Sequence, residues 1–225
     1  MAEFDTIAAN YQELVSESVR ITGESSEYFA AYKAEYVARK FAPRAGCKLL
    51  DYGCGVGLLS RKLKERLGQV RIDGFDVSND SLERVDQALR AQGTFSTRID
   101  ELDRDYDFIV LSNVLHHVKS DERQELVRGL ASLLTAGGKV VVFEHNPINP
   151  LTRWAVSRCP FDEGAVLLPT HETRGYFRRD GFQDLYRDYI VFFPRWLARF
   201  RRLEPSLHWC ALGAQYVVVA GRHPG

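Results

Sequence analysis

Apolar residues along this chain change their period from one stretch to the next. "CKLLDYG" (47–53), "VRIDGFDV" (70–77), "YDFIVLSNV" (106–114) and "KVVVFEH" (139–145) are short, largely apolar runs. That is the pattern of strands buried on both faces. Between them the spacing is helical. "SRKLKERLG" (60–68) stops at Gly68. "NDSLERVDQALRAQG" (79–93) opens on capping residues, sets Leu82, Val85 and Leu89 on one face, and stops at Gly93. "SDERQELVRGLASLLTAGG" (120–138) reads as another capped amphipathic helix. Strands alternating with helices predict a mostly parallel sheet with helices on both faces.

The ends depart from that alternation. Residues 1–46 read as helical, with Phe4, Ile7, Ala8 and Tyr11 sharing one face and Tyr28, Tyr32 and Tyr36 another. They precede the first strand, so they must pack over the sheet or its edge. The stretch 146–170 carries four prolines and cannot be one regular element. A helix near 171–180 and the strands "FQDLYRDYIVFF" (182–193) and "GAQYVVVAG" (213–221) close the chain, the strands as an antiparallel pair. The segment between them, "PRWLARFRRLEPSLHWCAL", is too long for a hairpin turn.

Composition narrows this picture. The 225 residues suit a single domain spanning 1–225, and a content 45% hydrophobic and 27% charged is that of a packed chain rather than a disordered one. Thirty basic residues balance thirty acidic ones, so nothing global points to nucleic acid as a partner. No apolar run approaches the roughly 20 residues of a membrane span. "MAEFDTIAANYQEL" lacks the basic-then-apolar pattern of a signal peptide. The four cysteines have no paired spacing, so no metal and no disulfide framework is expected, and reduced thiols fit a cytoplasmic location.

The chemistry is concentrated at "LLDYGCGVG" (49–57), where Gly53, Gly55 and Gly57 follow an apolar strand. A glycine-rich turn at a strand end lets a ligand approach the backbone, and the next helix offers free N–H groups. Asp76 stands 19 residues beyond Gly57, at the end of the second strand, placed to accept from ribose hydroxyls. The pair of features implies a nucleoside. Leu58 stands where the dinucleotide fingerprint G-x-G-x-x-G has its third glycine.

The D-x-G-x-G-x-G spacing resembles the first motif of the class I S-adenosylmethionine-dependent methyltransferases. "DGFDVSNDSL", "YDFIVLSNVLHHV" and "LLTAGGKVVVFEH" resemble their later motifs, in order, over residues 45–145. The resemblance implies a Rossmann-like three-layer α/β sandwich with seven strands, the last antiparallel, and S-adenosyl-L-methionine as cofactor. It implies that Asp51 orients the glycine loop and the cofactor's amino group, and that Gly53, Cys54 and Gly55 pass beneath it. Asp76 would hold the ribose, Val77 would pack on the adenine, and Ile99 or Asp100 would meet the adenine edge. The acid that many members carry just after the third strand is replaced here by "STRIDEL". Ser112 and Asn113 would face the methionine part. Tyr11 and Tyr28 would belong to an N-terminal helical lid over residues 1–46.

Methyl transfer to a hydroxyl is helped by a base. The candidates are His116, His117, Glu144 and His145 at the ligand edge of the sheet, with His117 and His145 preferred because histidine titrates near neutrality. The segments 146–170 and 194–210 should choose the acceptor, a small or carrier-linked molecule. In the second, Trp196 and Phe200 are expected to face the pocket and the arginines to face outward, with peripheral membrane contact open to that basic, aromatic stretch. Two alternatives stand beside methyl transfer: a non-catalytic cofactor-binding or scaffold protein, and a nicotinamide-dependent oxidoreductase of the same fold.

Overall fold

A computed structural model of the chain describes residues 23–159 and 164–222. Tyr11 and the face formed by Phe4, Ile7 and Ala8 lie outside the described residues. Helix α1 (Ser26–Phe41) is capped by Ser25, whose side chain accepts from the Tyr28 N–H. It leads into β1 (Lys48–Tyr52), α2 (Leu58–Leu67), β2 (Arg71–Phe75), α3 (Asn79–Glu83), α4 (Gln87–Arg90) and β3 (Phe95–Ser96). Then come β4 (Tyr106–Ser112), α5 (Arg123–Leu133), β5 (Leu134–His145), α6 (Pro150–Val156), α7 (Thr170–Arg179), β6 (Gln183–Ile190) and β7 (Gln215–Gly221).

The strands form one seven-stranded sheet in the order β3-β2-β1-β4-β5-β7-β6. β7 runs antiparallel to both β5 and β6, and the other described pairings are parallel. The apolar runs explain the layering. Ile109 and Leu111 of β4, and Val140 and Val142 of β5, pack with Val127 and Leu130 of α5 and Phe177 of α7. The residues between them, Val110, Val141 and Phe143, pack on the opposite face with Ala34 and Val37 of α1 and Leu59 and Leu63 of α2. A strand that must satisfy both faces is apolar at every position, so alternation is lost exactly where burial is two-sided. Each such fully buried Val or Leu contributes on the order of 1.5–3 kcal/mol.

The expected helix over 79–93 is two short helices. Asp86 leaves helical geometry (φ −49°, ψ 131°) and its carboxylate accepts the Ala88 N–H at 2.7 Å, starting a new turn. Leu82, Val85 and Leu89 are nonetheless all buried, so the break keeps the expected apolar face. The helix over 120–138 ends at Leu133, and the "TAGG" stretch already belongs to β5. Strands β4 and β6 end earlier than expected because Asn113 (φ 58°) and Val191 (φ 59°) turn into the left-handed region. The 194–210 insertion is mostly a 3₁₀ segment, Arg195–Ser206.

This topology positions the site. From β1 the chain moves outward to β2 and β3, then returns to β4 on the other side of β1. That reversal opens a crevice beyond the carboxyl ends of β1 and β4.

Candidate active site

A cavity of about 990 Å³ occupies that crevice. Its floor is the glycine loop. Gly53 (φ 78°), Gly55 (φ 52°) and Gly57 (φ 77°) are all left-handed. At Gly53, itself left-handed, a Cβ would stand 2.5 Å from Val114 Cγ2, so another residue there is strained and displaces the Val114 side chain. Asp76 closes the loop from the end of β2: its carboxylate accepts the Gly55 N–H at 2.7 Å and the Ser78 N–H at 2.9 Å. Asp76 and Val77 both line the cavity, as do Cys54 and Phe75. Aromatic packing steadies this end, with Tyr52 and Phe75 ring centroids 4.7 Å apart.

Toward β4 the lining becomes charged. Asp51 is buried, and its Oδ2 accepts the Ser60 hydroxyl at 2.6 Å, while its Oδ1 has no hydrogen-bond partner. Burial pushes the Asp51 carboxyl up to about 6, assisted by Asp76 and opposed by Ser60 and Lys33. Lys33 of α1 reaches the same place and donates to Ser112 Oγ at 2.7 Å. Burial holds its ammonium down to about 8, against attraction from Glu144 and Asp51. Asn113 Oδ1, Gln215 Oε1 and the Tyr28 hydroxyl are further buried polar atoms without partners, on residues that line the cavity. Buried polar groups are almost always satisfied in a folded protein. Several unsatisfied ones around one cavity are groups that a polar ligand or bound water can satisfy.

His117 and His145 also line the cavity, as do Val118, Leu126, Leu151 and Phe193. His116 does not line it. It is buried behind them, with Nδ1 2.5 Å from Glu144 Oε2, and its ring lies 4.2 Å from that of His117 and 5.4 Å from that of His145. Burial pushes Glu144 up, but attraction from His116, its hydrogen bond, and His145 together bring it below the ordinary carboxylate range. Glu144 Oε1 also accepts the Leu115 N–H at 2.8 Å. Arg123, itself buried, donates to the Leu115 and Val118 carbonyls. The 3₁₀ turn Leu115–His117 is therefore pinned from both sides, which fixes where His117 stands.

Several expected residues stand away from the cavity lining. Ile99 and Asp100 do not line this cavity. β3 has only two residues, and the chain then folds into a 3₁₀ turn in which Asp100 pairs with Arg98 at 2.7 Å. In the insertion, Trp196 does line the cavity, although it is 75% exposed. Phe200 does not line it and stacks on Phe193 instead, ring centroids 5.8 Å apart. Nor do all the arginines face outward: Arg201 pairs with Glu24 and lies 4.4 Å over the Tyr28 ring, fastening the insertion to the start of α1. Lys33 was not anticipated from the sequence. The signal was present, since Ala30, Lys33, Ala34 and Val37 form the buried stripe of α1.

Comparison with known proteins agrees with this geometry. Residues 50–140 match the family model described as a methyltransferase domain. An uncharacterized methyltransferase of Staphylococcus carnosus is 27% identical over 128 residues, which is 55% of this chain and 60% of that protein. The ribosomal RNA small subunit methyltransferase C of Salmonella newport is 32% identical over 106 residues, 44% of this chain and 31% of that protein. The chain thus spans less than two thirds of these relatives. In structure it is similar to a SAM-dependent methyltransferase from Archaeoglobus fulgidus (TM-score 0.70, 16% identity, 94% of this chain and 100% of that one). It is also similar to magnesium protoporphyrin IX methyltransferase from Synechocystis with bound SAM (TM-score 0.65, 18% identity, 97% and 93%). Residues 50–140 thus match a methyltransferase domain, and the chain shares the fold of these SAM-dependent methyltransferases.

Proposed function

We propose that this chain transfers the methyl group of S-adenosyl-L-methionine to a small or carrier-linked acceptor, with oxygen as the favoured acceptor atom. The observation that carries the reading is the set of unsatisfied buried polar atoms beside the glycine loop and Asp76. They suit the polar groups of an adenosyl amino acid, and the cavity, about 990 Å³, has room for an acceptor beside it.

When bound, S-adenosylmethionine supplies a sulfonium methyl that is already activated, so the chain's task is alignment, exclusion of water and management of one proton. In this reading Asp76 accepts from the ribose hydroxyls and Val77 covers the adenine. Tyr28 and α1 form the lid. His117 or His145 takes the proton of an acceptor hydroxyl at a ring nitrogen. The Glu144–His116 pair behind them holds the turn that carries His117. The insertions 146–170 and 194–210 serve the acceptor: Leu151, Ala155, Pro194 and Trp196 of these segments line the cavity.

Peripheral contact with a membrane belongs to the same proposal. Trp154, Trp196 and Trp209, all the tryptophans of the chain, are exposed on these two segments, and Arg153, Arg195, Arg199 and Arg202 accompany them. No helix among the described residues is long and apolar enough to cross a membrane. Sedimentation with vesicles containing about 30% anionic phospholipid tests the contact, and absence of binding at low salt refutes it.

Turnover of radiolabelled cofactor against a panel of hydroxyl, amine and carbon acceptors, some lipid-linked, tests the activity. Tight binding of S-adenosylhomocysteine with no transfer to any acceptor would favour the non-catalytic alternative.

A further inference from the structure

Ten large apolar side chains are exposed among the described residues, and eight of them fall between 148 and 166 or between 196 and 212. Scattered singly over a surface, such side chains would need no explanation; gathered on two segments beside one cavity, they do. The two segments are bonded to each other. The Asn146 side chain donates to the Ala211 and Gly213 carbonyls at 2.8 and 2.7 Å, Asn149 Nδ2 to the Leu212 carbonyl at 2.6 Å, and the Thr152 hydroxyl to the Ala214 carbonyl at 2.9 Å. The exposed Ile148 and Leu212 are therefore neighbours. Leu151 and Trp196 carry this apolar surface inward, because both are largely exposed and both also line the cavity.

The charges on these segments have one sign. Arg153, Arg158, Arg195, Arg199 and Arg202 are exposed. The one acid among their described residues, Glu204, is buried and accepts the Phe192 and Phe193 N–H groups at 3.1 Å. Arg158 lies 4.5 Å over the Trp154 ring and Arg199 4.7 Å over that of Phe200. Aromatic bodies set among guanidinium heads suit the boundary between acyl chains and anionic headgroups. Inside the cavity the sign reverses. Glu24, Asp51, Asp76, Glu122 and Glu125 line it, and among the described residues Lys33 is the only lysine or arginine that does. An anionic group is favoured at the collar and repelled within.

We propose that the acceptor is a lipid of the bilayer that these segments contact: a long-chain molecule with an uncharged, hydroxyl-bearing head, which enters the cavity past Leu151 and Trp196 while its chain stays against the apolar collar. This rests on the methyl-transfer reading above and narrows its acceptor. Each methylene left in water is costly, so an apolar path continuous from bilayer to cavity lets such a head reach the lining histidines without stranding its chain in water. The step is the one already described. An O–C bond forms at the methyl as the C–S bond breaks, the electron pair stays on sulfur to give S-adenosylhomocysteine, and the hydroxyl proton passes to His117 or His145.

The test follows label from radiolabelled cofactor on the full chain. Three long-chain acceptors, a hexadecylphenol, hexadecanol and a hexadecyl glucoside, are offered in vesicles containing about 30% anionic phospholipid, and their ethyl counterparts in solution. At least one long-chain acceptor should have a kcat/KM about 10-fold or more above that of its ethyl counterpart. Hexadecanoate in the same vesicles should take no label. Trp154→Gln/Trp209→Gln alters two exposed side chains that do not line the cavity. It should raise KM for the vesicle acceptor by about 10-fold while kcat and S-adenosylhomocysteine affinity are kept. Equal kcat/KM for long-chain and ethyl acceptors overturns the proposal and leaves methyl transfer to a soluble acceptor standing. Label on hexadecanoate alone, transfer only to a head presented on an acidic carrier protein, or a double variant equal to wild type on vesicles also overturns it. So does the absence of label in every long-chain acceptor while S-adenosylhomocysteine still binds. A wild type that does not bind S-adenosylhomocysteine overturns the cofactor reading instead.

Discussion

Asp76→Ala is the most direct perturbation of the nucleoside end. The substitution removes the acceptor of the Gly55 and Ser78 N–H groups, now at 2.7 and 2.9 Å, together with the group proposed to take the ribose hydroxyls. The two backbone donors face a cavity that water can enter, so their loss should cost the free protein only about 1 kcal/mol, an ordinary net hydrogen-bond contribution. Ligand binding should suffer more. A hydrogen bond to a charged group contributes about 1.5–3 kcal/mol, so one ribose hydroxyl lost weakens S-adenosylhomocysteine by roughly 10–150-fold, and two by more. Asp76→Asn retains one oxygen acceptor and should fall between wild type and Ala. Titration calorimetry reads the affinities, and thermal unfolding of the ligand-free proteins reads the backbone cost separately. Unchanged affinity in Asp76→Ala, with unfolding also unchanged, would place the ribose elsewhere and remove the reason for reading Asp76 with the glycine loop.

Other substitutions separate the remaining roles. If the acceptor is a hydroxyl, His117→Ala or His145→Ala should lower turnover by about 10²–10⁴ while S-adenosylhomocysteine affinity is kept, and full rates in both across pH would leave proximity alone carrying the reaction. Gly53→Ala forces a side chain into a left-handed position (φ 78°) and against Val114, so it should cost about 1–3 kcal/mol of stability and weaken the cofactor; a midpoint within error of wild type would contradict the strain.

The sheet was legible because two-sided burial leaves a mark that local sequence cannot disguise. Val140, Val141, Val142 and Phe143 are apolar in succession because they alternate between two cores. The loop was legible for a similar reason: three left-handed glycines in five residues have few structural uses. Boundaries were harder. Asn113 and Val191 end their strands by taking positive φ, and neither residue type announces that in a sequence. The break at Asp86 depends on a carboxylate choosing the Ala88 N–H over solvent, a local competition that apolar spacing does not register.

The site divides along the same line. Residues fixed by the backbone, Gly53, Gly55 and Asp76, stood out in the sequence as a glycine turn and an acid at the end of the next strand, and Asp51 through the resemblance to the family's first motif. Residues fixed by tertiary packing could not. Arg201 turns inward only because Glu24 and Tyr28, far away in sequence, wait there. Lys33 reads as one more lysine on a helix until the stripe beside it is known to be buried. The turn that carries His117 is held by Glu144, a strand residue 29 positions beyond the Leu115 N–H it accepts.

Asp51 allows a pH test that the substitutions above do not cover. Its carboxyl is raised to about 6 by burial and by Asp76, with Ser60 and Lys33 opposing. A folded value above the unfolded one means that the stability it lends is fully present below the unfolded range, near 3.8, and is lost as pH rises through about 6. At neutral pH the free protein therefore carries a strained carboxylate, costing on the order of 3 kcal/mol at 1.36 kcal/mol per unit. Asp51→Asn should raise the ligand-free thermal midpoint at pH 7.5, lose most of that advantage by pH 4.5 and lose the rest below about 3.8. Ligand binding should work in the opposite sense: an ammonium placed on Oδ1 stabilises the charged carboxylate, lowers its pKa and expels a proton. Near pH 6, binding of S-adenosylhomocysteine should then release protons, seen as a dependence of calorimetric enthalpy on the ionisation enthalpy of the buffer. Other groups can exchange protons on binding, so the decisive quantity is the difference between wild type and Asp51→Asn. Equal proton release by the two proteins would mean that Asp51 does not meet the ligand's ammonium, whatever the affinities show.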